Sequence, residues 1–218
     1  MAARFFQMKE IRCTLLTDGS SDKALLPIIS WLFREHCPDF AVQKAWADLY
    51  RLPKGTVKTL PDRIRFSIEL YPCDVLFIHR DAEKMELEER IAEIQTALQD
   101  TEHPPTVCVV PVRMTEAWLL HDEPAIRQAA SNPNGRQPLS LPKMSSVENL
   151  PDPKQTLYDL LRTASGPISR RRNFDPGRMA HRVADRISTF EPLRQLSAFS
   201  RFERELVAAA KEQRWTMS

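Results

Sequence analysis

Up to about residue 122 the chain alternates short runs rich in β-branched and aromatic residues with amphipathic stretches of helical period. That alternation restricts the fold more than any other feature. A strand that feeds a helix returns beside its predecessor in parallel, which builds an α/β domain with a largely parallel sheet. Strands are expected at Ile11–Thr17, Asp74–His79 and Thr106–Val112, with a weaker one at Phe40–Trp46. Helices are expected between them. Ser21–His36 carries Leu25, Ile28, Ile29 and Leu32 at helical spacing, and Met85–Leu98 carries Leu87, Ile91, Ile94 and Leu98, with Lys58–Leu70 completing the set.

After about Asp122 the texture changes. Ser131 to Pro153 holds Pro133, Pro138, Pro142, Pro151 and Pro153 and reads as loop. Beyond it only helical periodicity remains, over Pro153–Thr163, Gly177–Phe190 and Ser197–Ala210. The chain therefore divides into an α/β domain at 1–125, a Pro-rich loop at 126–152 and a helical C-terminal region at 153–218 packed on the core. With 218 residues, 42% hydrophobic and 28% charged, it can bury a core and is neither disordered nor fibrous in composition. A net charge of +2 excludes capture of nucleic acid by overall charge, so any such binding rests on local clusters. Cys13, Cys37, Cys73 and Cys108 form no C-x-x-C pair and read as reduced residues. The segment Met1–Glu10 lacks an apolar leader core and no window reaches the length of a membrane span, so a cytoplasmic protein is expected.

Acidic residues recur where strands should end, at the edge of a parallel sheet where ligand sites gather. Leu15-Leu16-Thr17-Asp18-Gly19-Ser20-Ser21-Asp22 leaves the first strand through a Gly turn. Leu76-Phe77-Ile78-His79-Arg80-Asp81-Ala82-Glu83 leaves the third with two acids at alternate positions, able to point the same way in an extended turn. Pro111 to Asp122 leaves the fourth and enters a helix, with Thr115 as its cap and Glu116 in its first turn. Converging carboxylates repel unless a cation sits among them, and oxygen ligands of this kind suit Mg²⁺ or Mn²⁺ better than zinc. A plainer account stands beside this one. Asp18 and Asp22 are also ordinary turn and cap residues, Asp81, Glu83 and Glu116 also suit helix N-termini, and His79 reads as a packed strand residue.

Together the three stretches resemble the TOPRIM superfamily, with its acid-Gly-x-x-Asp element after the first strand and acid-x-acid pair after a later one. More narrowly, Asp18-Gly19-Ser20-Ser21-Asp22-Lys23-Ala24-Leu25, Asp81-Ala82-Glu83 and Glu116-Ala117-Trp118-Leu119-Leu120-His121-Asp122 resemble the TOPRIM-like family catalogued as domain of unknown function 4276. Leu141-Pro142-Lys143, Asp152-Pro153-Lys154, Phe190-Glu191-Pro192-Leu193 and Ser197-Ala198-Phe199-Ser200-Arg201-Phe202 look like that family's C-terminal region. The resemblance implies a TOPRIM-like, Rossmann-like fold and a site in which Asp18, Asp22, Asp81, Glu83 and Glu116 surround Mg²⁺ or Mn²⁺. Asp18, Asp81, Glu83 and Glu116 are then the catalytic set. Asp18 stands where the family usually has glutamate, which shortens its reach by one methylene.

The activity so implied is metal-dependent cleavage of nucleic-acid phosphodiesters, DNA or RNA, by a phage-defence effector. Such proteins resemble components that work beside a separate ATPase, and with five glycines and no G-x-x-x-x-G-K-[ST] any nucleotide hydrolysis belongs to that partner. A homo-oligomer is compatible with this reading. The alternative is a non-catalytic binding or regulatory subunit that keeps the fold. Arg170, Arg171 and Arg172, followed by Arg178, Arg182 and Arg186 at i, i+4 spacing, form a basic stripe that suits either phosphate contact or a solvated helix face.

Overall fold

The structure, a computed structural model, describes residues 9–166 and 174–216. Four strands, β1 (Lys9–Leu16), β2 (Phe40–Trp46), β3 (Val75–His79) and β4 (Thr106–Val109), form one all-parallel sheet in the order β2-β1-β3-β4. Helices α1 (Leu25–His36), α2 (Leu60–Leu70) and α3 (Leu87–Leu98) provide the crossovers. This is the α/β arrangement with a parallel sheet expected from the alternation, and it is consistent with a Rossmann-like fold. β3 is interior and reads Val-Leu-Phe-Ile-His, with all five residues buried, as a strand covered on both faces must be.

The period-two alternation of side chains sorts the core into two layers. Ile11, Cys13, Leu15, Val75, Phe77, Val107 and Val109 share one cluster with Ile28, Ile29 and Leu32 of α1. Leu16, Leu76, Ile78 and Cys108 point the other way and pack with Ile64 of α2 and with Ile91 and Ile94 of α3. The C-terminal helices join the α1 face. These are α4 (Glu123–Ala129), α5 (Met144–Val147), α6 (Pro153–Ala164), α7 (Pro176–Arg186) and α8 (Ser197–Glu212), and Leu157, Val183, Phe199 and Phe202 belong to the same cluster as β1. Aromatic packing ties that layer down. Trp118 meets Phe199 edge-on at 5.3 Å between centroids, stacks on Phe202 at 6.0 Å, and Phe202 in turn meets Phe77 of β3 at 6.1 Å.

Several boundaries differ from expectation for local reasons. The segment after β1 begins as a 3-10 turn, Ser20–Ala24, before α1 starts at Leu25. β4 ends at Val109, ahead of Pro111, which has no N–H to give a neighbouring strand. Even so, Arg80, Ala82 and Glu83 donate their N–H groups to the carbonyls of Val109, Pro111 and Arg113, so the two chains run on side by side past the sheet. α4 escapes the sequence reading despite its cap: Asp122 Oδ1 accepts from the Ala125 N–H at 2.8 Å and Pro124 opens the helix. The Pro-rich stretch is loop apart from the single turn of α5. α7 stops at Arg186, four residues early, because Ile187 turns extended.

At the sheet edges the two outer strands differ. The Cys108 N–H of β4 donates to Glu205 Oε2 of α8 at 3.0 Å, so a helix covers that edge. All four cysteines are unpaired. Burial pushes the Cys13 thiol up to about 12, which leaves it inert. Among the described residues no helix is long and apolar enough to cross a membrane.

Candidate metal centre

From β1 the chain turns to one face of the sheet through α1, and from β3 it turns to the other through α3. The loops after these neighbouring strands therefore part and leave a crevice at their carboxyl ends, the position where open parallel sheets bind ligands. Asp22, His79 and Asp81 meet there, each offering a ligand atom within 4.8 Å of the others.

Each side chain is held by identifiable bonds. Asp22 caps its own 3-10 turn: Oδ2 accepts from the Gly19 N–H at 3.1 Å and Oδ1 from the Ser21 hydroxyl at 3.2 Å. His79, the last residue of β3, is 1% exposed. Its Nδ1 lies 2.9 Å from the Val109 carbonyl, which can only accept, so the proton sits on Nδ1. Nε2 is thereby turned to the carboxylates, 3.4 Å from Asp81 Oδ1 and 3.7 Å from Asp22 Oδ2. A histidine whose far nitrogen is tied to a backbone carbonyl is the usual arrangement of a metal ligand. Asp81 Oδ1 accepts from the Thr115 N–H at 3.1 Å, and the Thr115 hydroxyl lies 3.3 Å from His79 Nε2. Thr115 is therefore not a helix cap. Met114 holds that position, because the segment is a 3-10 turn whose first residue is drawn to Asp81.

Electrostatics mark this as a place short of positive charge. Burial raises the Asp81 carboxyl to about 6; His79 opposes the shift, while Asp22 and Glu116 add to it. Glu116, 8% exposed, lies 3.7 Å from Lys154 Nζ at the start of α6. Burial works to lower the Lys154 ammonium, but its interactions with Glu116, Tyr158 and Asp22 leave it above the ordinary lysine value. A cleft of about 220 Å³ opens here, with Ser20, Asp22, Thr115 and Glu116 on the sheet side and Tyr158, Gly177 and His181 on the helical side.

Of the five expected acids the structure brings Asp22, Asp81 and Glu116 together. Asp18 and Glu83 lie outside the group. Asp18 Oδ2 accepts from Arg80 Nε at 2.9 Å, and Arg63 Nη1 lies 3.6 Å from Oδ1. Glu83 is exposed and sits at φ 53°, a left-handed turn that breaks the extended alternation expected to align it with Asp81. His79, expected as packing alone, is buried and also the nitrogen donor of the set. Thr115 was expected only as a helix cap, and neither Lys154 nor His181 was expected at this site. The one local hint was a histidine ending an otherwise apolar strand immediately before Arg80-Asp81.

The donors could hold a metal ion: two carboxylates, of which Asp81 is raised by burial, and one imidazole nitrogen of fixed tautomer. The nitrogen makes the set less purely hard than five carboxylates would be. Arg178, Arg182 and Arg186 are exposed along α7 and have no acidic partner among the described residues. They occupy a different flank of that helix from Gly177 and His181, and Arg178 and Arg182 line a separate hollow with Phe174. Arg170, Arg171 and Arg172 lie outside the described residues. No family model, curated protein or solved structure matches the chain.

Proposed function

We propose that this chain is a divalent-metal-dependent nuclease acting on nucleic-acid phosphodiesters, TOPRIM-like in fold, and the companion of a separate ATPase in a phage-defence module. The observation that carries the chemistry is the convergence of Asp22, Asp81 and His79 Nε2 beside Glu116 and Lys154 at the sheet's crevice. Asp22, His79 and Asp81 would hold the ion. When bound, it supplies Lewis acidity toward a phosphoryl oxygen and toward water. Glu116, outside the ion-holding group, would accept the proton of the attacking water as that water's oxygen joins phosphorus and the bond to the departing sugar oxygen breaks, the departing oxygen taking its proton from solvent. Lys154 offsets the charge of the incoming phosphate, which the acids by themselves would repel. The Val109 carbonyl keeps the His79 proton on Nδ1 throughout.

A non-catalytic subunit is the second reading, and one observation favours it. Asp18, in the place of the family's usual glutamate, is held by Arg63 and Arg80. Incubating the protein with plasmid and with RNA, in Mn²⁺ or EDTA, separates the two. Mn²⁺-dependent cutting that disappears in Asp81→Ala and Glu116→Ala supports the nuclease. Absence of cutting with Mn²⁺ bound, measured by calorimetry, overturns it in favour of the binding subunit.

A further inference from the structure

A second groove of about 520 Å³ adjoins the acidic cleft and shares Ser20, Ala24 and His181 with it. Its floor carries Lys23 and Lys44. Both lysines are exposed, and among the described residues neither has a carboxylate within ion-pair distance. Lys44 Nζ instead donates to the Ser30 hydroxyl at 2.6 Å, and Lys23 Nζ lies 3.7 Å from the centroid of the Trp46 ring. Two cations without a carboxylate partner, in a groove that opens into the acidic cleft, suit the phosphates of a polynucleotide strand. Asp185, on the far side of the groove, is the one acid in its lining.

Dimensions narrow the occupant further. At about 220 Å³ the acidic cleft falls below the roughly 300 Å³ at which small-molecule pockets begin. That volume is nearer to one nucleotide's phosphate and sugar than to two paired strands. The arginines of α7 face elsewhere, so the path away from the carboxylates runs along the lysines.

We infer that the substrate is a single polynucleotide strand that threads the acidic cleft and leaves it along Lys23 and Lys44. This deepens the nuclease reading and rests on it. The test is fluorescence anisotropy of labelled twelve-nucleotide single-stranded DNA, single-stranded RNA and a DNA duplex of the same length. Wild-type protein is used, with Ca²⁺ in place of Mn²⁺. At least one single strand binds tenfold or more tighter than the duplex, and the arm that binds identifies the sugar. Lys23→Glu combined with Lys44→Glu weakens that binding at least tenfold. The milder Lys23→Gln with Lys44→Gln lowers the salt slope by about 1.4, the loss of two phosphate contacts on a single strand. Arg178→Gln with Arg182→Gln changes neither. Unaltered thermal unfolding shows that the exposed lysine variants remain folded. Equal duplex binding, no binding of either strand, or indifference to both lysine pairs overturns the inference. Single-strand binding without Mn²⁺-dependent cutting removes the nuclease reading and leaves the strand path standing. Cutting of closed duplex that ignores the lysines does the reverse.

Discussion

Two clusters in this molecule pair a largely buried carboxylate with a histidine, and they titrate in opposite directions. On the α1 and α8 side, Glu203 accepts from Arg194 Nη2 at 2.7 Å and Nε at 3.0 Å, and lies 2.8 Å from His36 Nε2. Burial works to raise its carboxyl, but the hydrogen bonds from Arg194 and His36 outweigh it and hold Glu203 below the usual range. At the crevice Asp81 also has a histidine at 3.4 Å, yet its other neighbours are Asp22 and Glu116, and its carboxyl rises to about 6. Glu203 is satisfied within the chain and acts as a clasp. Asp81 needs a positive charge from outside, which distinguishes a binding site from a structural ion pair.

The comparison breaks most readily at the metal. Asp81→Asn is expected to lower Mn²⁺ affinity at least about 100-fold by calorimetry, because loss of a ligand costs more than the 10- to 100-fold of an outer partner. Glu203→Gln leaves that affinity unchanged.

Stability sharpens it next. Asp81 binds its proton more tightly folded than unfolded, where its value is 3.8. Metal-free protein therefore loses about 2–3 kcal/mol as pH rises from about 4 to about 6. Denaturant titrations in EDTA at pH 4 and 7 measure this, and Asp81→Asn removes the loss. At the other cluster the sign is reversed. Glu203 stabilises above its unfolded value and the contribution is lost as pH falls through its depressed folded one, so Glu203→Gln costs about 2 kcal/mol at pH 7. Should both variants destabilise metal-free protein at pH 7, the two clusters are alike and the crevice is another structural clasp.

The smallest effect tests the positioning of Asp81. Thr115→Val removes the hydroxyl 3.5 Å from Asp81 Oδ1 but keeps the backbone N–H to the same carboxylate. Mn²⁺ affinity falls about tenfold by calorimetry, and replacement by serine restores it.

Much of the architecture was legible because it is encoded locally. Val75 to Ile78 is apolar without interruption, and Ile11, Cys13 and Leu15 alternate with residues facing the other layer, so strand type and parallel pairing follow from neighbours in sequence. The same holds for Asp22 and Asp81, placed by turns that directly follow β1 and β3. Glu83 was misplaced for an equally local reason, a left-handed residue where extended backbone was expected.

What the chain's order of residues determined by itself was the alternation of strands and helices, and with it a sheet edge on which acids would gather. Which acids share that edge was decided only by tertiary packing. Arg63, 45 residues beyond Asp18, draws it aside, the Val109 carbonyl of a neighbouring strand turns His79 Nε2 inward, and α6 carries Lys154 to Glu116 from 38 residues away. A charge acts on whatever lies within a few ångströms regardless of separation along the chain, whereas periodicity reports only on near neighbours.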